Sequence, residues 1–337
     1  MSSPAQIKRG ISLYSYQEEF FLRKLDLEGC LAEAAKIGAH GIEIVSEQMI
    51  PRAPHAADAF YAQWHEWMAQ YGLTPVCHDL FLDTKRYPDR RLSDDECVAS
   101  IEADLRHAHR LGCRFVRVLV SVSPHILARC VSAAERYDVK MLLEVHSPLH
   151  FDHPWIMRHA ESMERLGTQH IGFMPDMGIF VKRYPLVMRD RFVRMGARAT
   201  IADFICAAYD DRILSEYLVQ DVRQMGGTPV ELAMAETVRH TIWSNPKRLL
   251  EFMPRIHHIH AKFYEMTAEC IEPSIPYDEI LPVLIEGGYN GYLSSEYEGN
   301  RHVQDAFDVD SIEQVRRQHR MFETLLDLHA AVAAVAA

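Results

Sequence analysis

Short runs of β-branched and apolar residues recur along the chain, and each is followed by a stretch in which apolar positions return every three or four residues. The runs fall at 10–15 (GISLYS), 41–46 (GIEIVS), 74–80 (TPVCHDL) and 115–121 (FVRVLVS). Four more follow at 140–147 (KMLLEVHS), 171–177 (IGFMPDM), 256–263 (IHHIHAKF) and 291–297 (GYLSSEY). Between the first two, Leu27, Cys30, Leu31, Ala34, Ala35 and Ile37 form one helical stripe. Start signals agree: Ser93-Asp94-Asp95-Glu96 reads as a capping box, and Ser123-Pro124 as an N-cap followed by proline. Gly38, Gly72 and Gly112 each stand just past a stripe and just before the next strand, where helices stop. Eight strand–helix units with apolar strands predict a parallel sheet covered by helices, most simply a (β/α)8 TIM barrel forming one domain over 1–337. A doubly wound open sheet is the rival, but no Gly-x-Gly-x-x-Gly follows the first strand.

One connection breaks the rhythm. Between the sixth and seventh strands the pattern is helical over 184–245, with a break at Gly226-Gly227-Thr228-Pro229. On a barrel this insertion leaves from the carboxyl end of a strand, the face that carries active sites. A lid, a pocket wall and a subunit interface are the functional readings; a mere thickening of the helical shell is the bland one.

Charge then narrows the classes. With 36 Lys+Arg against 47 Asp+Glu the formal net charge is −11, a poor basis for holding nucleic acid. At 48% hydrophobic and 25% charged residues the composition is that of a folded globular protein. No run approaches eighteen apolar residues, and MSSPAQIKRG lacks the apolar core of a secretory signal, so a cytoplasmic location without membrane contact is expected. The seven cysteines are scattered and form no Cys-x-x-Cys pair, which argues against a structural zinc site or a disulfide framework.

The candidate chemistry stands at the strand ends. Alternate residues of a barrel strand face inward, and those nearest the carboxyl end reach the active site. Glu144 and His146 share a face at the end of strand five, Asp176 ends strand six, His258, His260 and Lys262 share a face of strand seven, and Glu296 ends strand eight. Several charges in one barrel mouth are expensive without a shared partner, and a divalent metal supplies one. Glu144, Asp176, His260 and Glu296 form a hard, oxygen-rich set suited to Mn²⁺ first, then Mg²⁺ or Co²⁺. Any one of them alone would more often be structural; four on consecutive strands is the signal. His146 is the candidate base, because an imidazole suits proton transfer near neutral pH, with a second-shell or substrate-binding role as its alternative. Glu144 or Glu296 could serve as a second acid/base, and Lys262 could hold or protonate an oxygen. His78, Glu43 and Tyr297 are candidate substrate contacts, each set against a structural hydrogen bond. Glu298 borders the same strand end. His258, one layer deeper than His260, reads as a core histidine, and His150, His153 and His159 as surface.

This arrangement resembles the xylose-isomerase-like barrel superfamily, which includes ketose 3-epimerases, inosose dehydratases and a DNA-repair endonuclease branch. The resemblance covers about 7–330 apart from the insertion. It implies one catalytic metal held by Glu144, Asp176, His260 (in HIHAKF) and Glu296 (in SSEYEG). Two departures stand out: Ile179 where the epimerases carry histidine, and Met266 where they carry arginine. Within the superfamily the chain is most similar to the alpha subunits of C-glycoside deglycosidases, through Glu-x-His on strand five, the HIHAKFYE run and the expanded segment before it. That likeness implies cleavage of a 3-oxo-C-glycoside between sugar and aglycone and a small beta subunit, so an oligomer is expected. The acidic balance and single ligand set argue against the nuclease branch.

Overall fold

The computed structural model describes residues 7–213 and 215–336. Eight parallel strands, β1 (Lys8–Ser12), β2 (Gly41–Ile44), β3 (Thr74–Asp79), β4 (Phe115–Val118), β5 (Lys140–Val145), β6 (Ile171–Pro175), β7 (Ile259–Phe263) and β8 (Tyr292–Tyr297), lie in the order β6-β5-β4-β3-β2-β1-β8-β7. Two isolated parallel bridges, Phe173 with Ile256 and Asp176 with His260, bring β6 against β7. The sheet is thus a nearly closed (β/α)8 barrel, as the eight-unit pattern predicts.

Local chemistry sets the helix limits. The helix Asp94–Leu111 begins with a capping box: the Ser93 hydroxyl accepts from Glu96 N, and the Glu96 carboxylate accepts from Ser93 N. It ends at Gly112 with φ of +80°, a conformation glycine adopts without strain. Ser123 caps Pro124–Tyr137 by accepting from Ile126 N. Loss of such a cap costs about 1 kcal/mol. The first strand departs from expectation, ending at Ser12 instead of reaching 15. Leu13–Tyr16 folds as a 3-10 turn because the Ser15 hydroxyl donates to the Ser295 carbonyl and accepts from Tyr297 N, each at 2.9 Å. Those two bonds tie the end of β1 to β8.

Between β6 and β7 run four α-helices of nine or more residues, Leu186–Arg194, Ala199–Asp210, Ser215–Gln224 and Pro229–Thr237, and a short one, Leu249–Phe252. The expected break at Gly226-Gly227 is there, followed by a second capping box on Thr228 and Glu231. Arg194 binds Asp305 at 2.8 Å, and Arg191 donates to the Arg301 carbonyl at 3.0 Å. Farther along, Ser147 donates to the His240 carbonyl, and Phe180 bridges Trp243. The segment therefore touches the loops that leave the carboxyl ends of β5, β6 and β8. Among the described residues no helix is long and apolar enough to cross a membrane.

Candidate active site

Register brings the charged groups together. Lys262 pairs across from Glu296, and Asp176 bridges His260, so adjacent strands deliver the site side by side. The carboxylates of Glu144 and Glu296 and the His260 ring converge, all three buried, within the spacing a single cation requires. His260 Nδ1 donates to Glu144 Oε1 at 2.9 Å and lies 3.5 Å from Glu296 Oε1. Its Nε2 donates to Glu43 Oε1 at 2.7 Å. Asp176 stands at the rim of this group: Oδ1 accepts from Gly178 N at 2.7 Å and Oδ2 from Lys262 Nζ at 2.6 Å.

Burial disfavours the His260 imidazolium, but Glu43, Glu296 and Glu144 outweigh it and hold its pKa well above the usual histidine value. Burial likewise raises Glu144, yet Arg117 and His260 keep that carboxyl well below its usual range. Glu296 goes the other way, pushed up to about 8 by burial although Lys262 and His260 pull it down. Its Oε2 is enclosed and has no hydrogen-bond partner, with Lys262 Nζ 3.5 Å away. A crowded carboxylate pair, one enclosed oxygen without a donor and a ring nitrogen aimed between them fit a divalent cation. Glu144, His260 and Glu296 would hold it, with Asp176 beside them. Glu43 on the far ring nitrogen is the kind of carboxylate partner that fixes a ligating histidine.

Other expected residues find different places. Glu43 is fully buried and accepts from His258 and His260 at 2.7 Å each, so both its oxygens are engaged by imidazoles. Tyr297 is also withdrawn: strand alternation turns it away from Glu296, and its ring stacks on Phe263 at 5.0 Å. The same alternation puts Glu298 on the site's side, where it accepts from Tyr14 Oη at 2.9 Å. Burial pushes Glu298 up to about 7, against the pull of Lys262. His78 is buried with both nitrogens engaged, Nδ1 by Ser46 Oγ and Nε2 by Asp104 Oδ1, each at 2.9 Å. It is a supporting group and has no nitrogen free for substrate. His258 sits in the core, as expected, with Nε2 on Glu43. His159 is buried against Trp155 instead of lying on the surface.

His146, just past β5, is half-buried and donates Nδ1–H to the Ser147 carbonyl at 2.8 Å. A carbonyl can only accept, so Nδ1 is the donor here, and in the neutral ring the lone pair falls on Nε2. Arg117 was absent from the expected set. It is buried between Asp79, 3.3 Å from Nε, and Glu144 Oε2, 3.4 Å from Nη1, with its guanidinium over the Phe81 ring. The signal existed: an arginine inside Phe-Val-Arg-Val, an otherwise apolar strand. Glu43, Cys77 and Asp79 also converge, but Glu43 is already engaged by two imidazoles and Asp79 by Arg117. All seven cysteines are free thiols.

The model of xylose isomerase-like TIM barrels matches residues 31–325. The chain belongs to that family. A C-glycoside deglycosidase alpha subunit from Arthrobacter globiformis is 30% identical over 329 residues, covering 95% of this chain and 93% of that protein. A 3'-dehydrocarminate deglycosidase alpha subunit from a Microbacterium species is 29% identical, covering 96% and 97%. Among solved structures, an L-ribulose 3-epimerase shares the fold with a TM-score of 0.58 at 12% identity, covering 98% of each chain. A zinc-bound IOLI protein follows with a TM-score of 0.56 at 14% identity, covering 95% of this chain and 98% of that one. With relatives named deglycosidases and a fold used by sugar isomerases and epimerases, this xylose isomerase-like barrel is an enzyme.

Glu43→Gln tests the support beneath the site. Gln cannot accept from both imidazoles as a charged group, and the variant should bind divalent metal about 10–100-fold more weakly while keeping the barrel's circular dichroism. A metal titration indistinguishable from the parent would remove Glu43 from this role.

Proposed function

We propose that this enzyme is a divalent-metal-dependent lyase that abstracts the proton alpha to the ketone of a 3-oxo-C-glycoside and cleaves the bond between sugar and aglycone. The carrying observation is the buried convergence of Glu144, His260 and Glu296 beside His146, in a chain whose relatives are named C-glycoside deglycosidases. When bound, a divalent cation, Mn²⁺ by preference, would act as a Lewis acid toward a ketone oxygen. In the neutral ring, whose Nδ1–H is held by the Ser147 carbonyl, His146 Nε2 takes the proton from sugar C2. The C2–H electron pair moves toward the C3 carbonyl, and its return expels the aglycone carbon from C1 as the C1–C2 double bond forms. The departing carbon needs one proton, which the His146 imidazolium then holds. Lys262, fixed by Asp176 and Glu296, presents a cation at the same strand ends and can donate to a substrate oxygen.

The epimerase alternative loses support at two positions. Ile179 and Met266, where the epimerases carry histidine and arginine, are buried apolar residues here and offer no polar contact. The test is incubation of the metal-loaded protein, together with any subunit that co-purifies, with 3-oxo-C-glucosides and with free ketoses. Aglycone release supports the lyase; interconversion of ketose epimers, or no turnover of either, overturns it. An alpha subunit implies a beta partner for the relatives, and we extend that assembly to this chain.

A wall for the aglycone is available in the insertion. A hollow of about 550 Å³ opens between the β5 loop (His150, Asp152) and the insertion (Tyr209, Arg212, Trp243). Trp243, 39% exposed, offers its ring to this hollow. The Arg212 guanidinium lies over both the Tyr209 and Trp243 rings, at 5.4 and 5.0 Å. Trp243→Ala is expected to raise KM for an aromatic C-glycoside about tenfold or more, as loss of roughly 1.5–3 kcal/mol of apolar contact implies, with kcat little changed. Unchanged KM across several aglycones would place the aglycone elsewhere.

A further inference from the structure

At the opposite, amino-terminal end of the barrel lies a second hollow, of about 510 Å³. Lys8, Thr74, Lys140 and Tyr292, the first residues of β1, β3, β5 and β8, line its wall together with Arg114 and His257. Three cations, Lys8, Arg114 and Lys140, meet there in a chain whose net charge is −11. Among the described residues no carboxylate lies within ion-pair reach of Lys8, Arg114 or Lys140. The Lys8 ammonium sits 5.3 Å over the Tyr292 ring, a contact that leaves its charge unneutralised. Asp138 also lines the hollow, with its Oδ1 3.4 Å from His170 Nε2. His257 stacks flat on Phe115, ring centroids 6.2 Å apart, and its Nε2 has no hydrogen-bond partner. Burial, Arg114 and Arg255 together lower the Lys140 pKa, and burial, Lys140 and Arg255 bring His257 to about 4. Three cations thus face the hollow against one lining carboxylate, Asp138, so its wall carries net positive charge.

We propose that this basal hollow binds a small multivalent anion, one bearing phosphate or carboxylate groups, through Lys8, Arg114 and Lys140. Its volume lies in the range of small-molecule sites. It is separated from the catalytic centre by the length of the barrel, so its occupancy bears on stability or regulation, not on the chemical step.

Titration calorimetry and thermal unfolding of metal-free protein at fixed ionic strength test this, with pyrophosphate and citrate as separate probes. The metal-free form prevents chelation at the catalytic end from being mistaken for binding. Saturable binding of one anion per chain is expected, with a rise in Tm; pyrophosphate preference marks a phosphate ligand and citrate preference a carboxylate one. The double variant Lys140→Met, Arg114→Gln should bind at least tenfold more weakly. Arg114 is exposed, so Arg114→Gln alone, expected to weaken binding several-fold, serves if the double variant does not fold. Glu144→Gln, altered only at the catalytic end, should bind the anion like the parent. The proposal is overturned if neither anion binds saturably, if Arg114→Gln binds as tightly as the parent, or if Glu144→Gln abolishes binding.

Discussion

Glu144→Gln is expected to abolish divalent-metal binding and turnover together. The side chain keeps its size and loses one charge, so the change reads electrostatics and not packing. Two donors converge on this carboxylate, His260 Nδ1 on Oε1 and Arg117 Nη1 on Oε2. A carboxamide offers one oxygen and one NH₂, so it can satisfy only one of them and opposes the other with its own donor. A charged donor left without an acceptor costs about 1.5–3 kcal/mol, and the urea midpoint should fall accordingly. Metal affinity should drop by more than the ~10–100-fold typical of altering an outer partner, because Glu144 belongs to the converging set itself. Elemental analysis of the purified variant decides the matter: stoichiometric metal with full activity would remove Glu144 from the site.

His146→Ala should behave differently. The imidazole donates only to the neighbouring Ser147 carbonyl, so its loss leaves the Glu144–His260–Glu296 cluster and the buried Arg117 intact. Metal content and Tm should match the parent, while kcat falls by ~10²–10⁴-fold, the usual contribution of a positioned general base. Exchange of the substrate C2 proton with D₂O, followed by NMR, should disappear in step with turnover. A variant that keeps metal and keeps exchanging would show that another group, Glu298 or Glu296, takes the proton. The contrast with Glu144→Gln separates holding the cation from moving the proton.

Much of this was legible from the residues alone. Period-two strands, period-3.6 stripes and cap residues are local signals, and they fixed eight units, most strand limits and the capping box at Ser93; the box at Thr228 came only with the structure. The inward positions of Glu144, His260, Lys262 and Glu296 followed from alternation near a strand end. Where the reading went astray, the cause was a long-range contact. Ser15 ends β1 early through bonds to β8, some 280 positions away, and no window around residue 15 contains that partner. Glu43 on β2 left substrate contact and structural hydrogen bond as alternatives; only the closing of the barrel, which brings β7 across from β2, shows two imidazoles already bonded to it. Tyr297 is the instructive case, since alternation itself argued for Glu298 and against the residue between the two glutamates. Arg117 was overlooked for want of a visible counter-charge: Asp79 and Glu144 lie on neighbouring strands, not near it in sequence.

The meeting of β6 and β7 carries a consequence for how such a barrel can vary. Seven of its eight junctions are hydrogen-bonded ladders, and this one rests on two isolated bridges and on side chains such as Lys262 against Asp176. A long connection inserted here disturbs little of the sheet's backbone bonding, and lengthening a loop adds only slowly to its closure cost. The chain places its four extra helices at that seam, next to the residues that would hold the cation. Surface that discriminates among substrates can therefore be rebuilt there by gain or loss of helices, while the chemical centre on the strand ends stays the same.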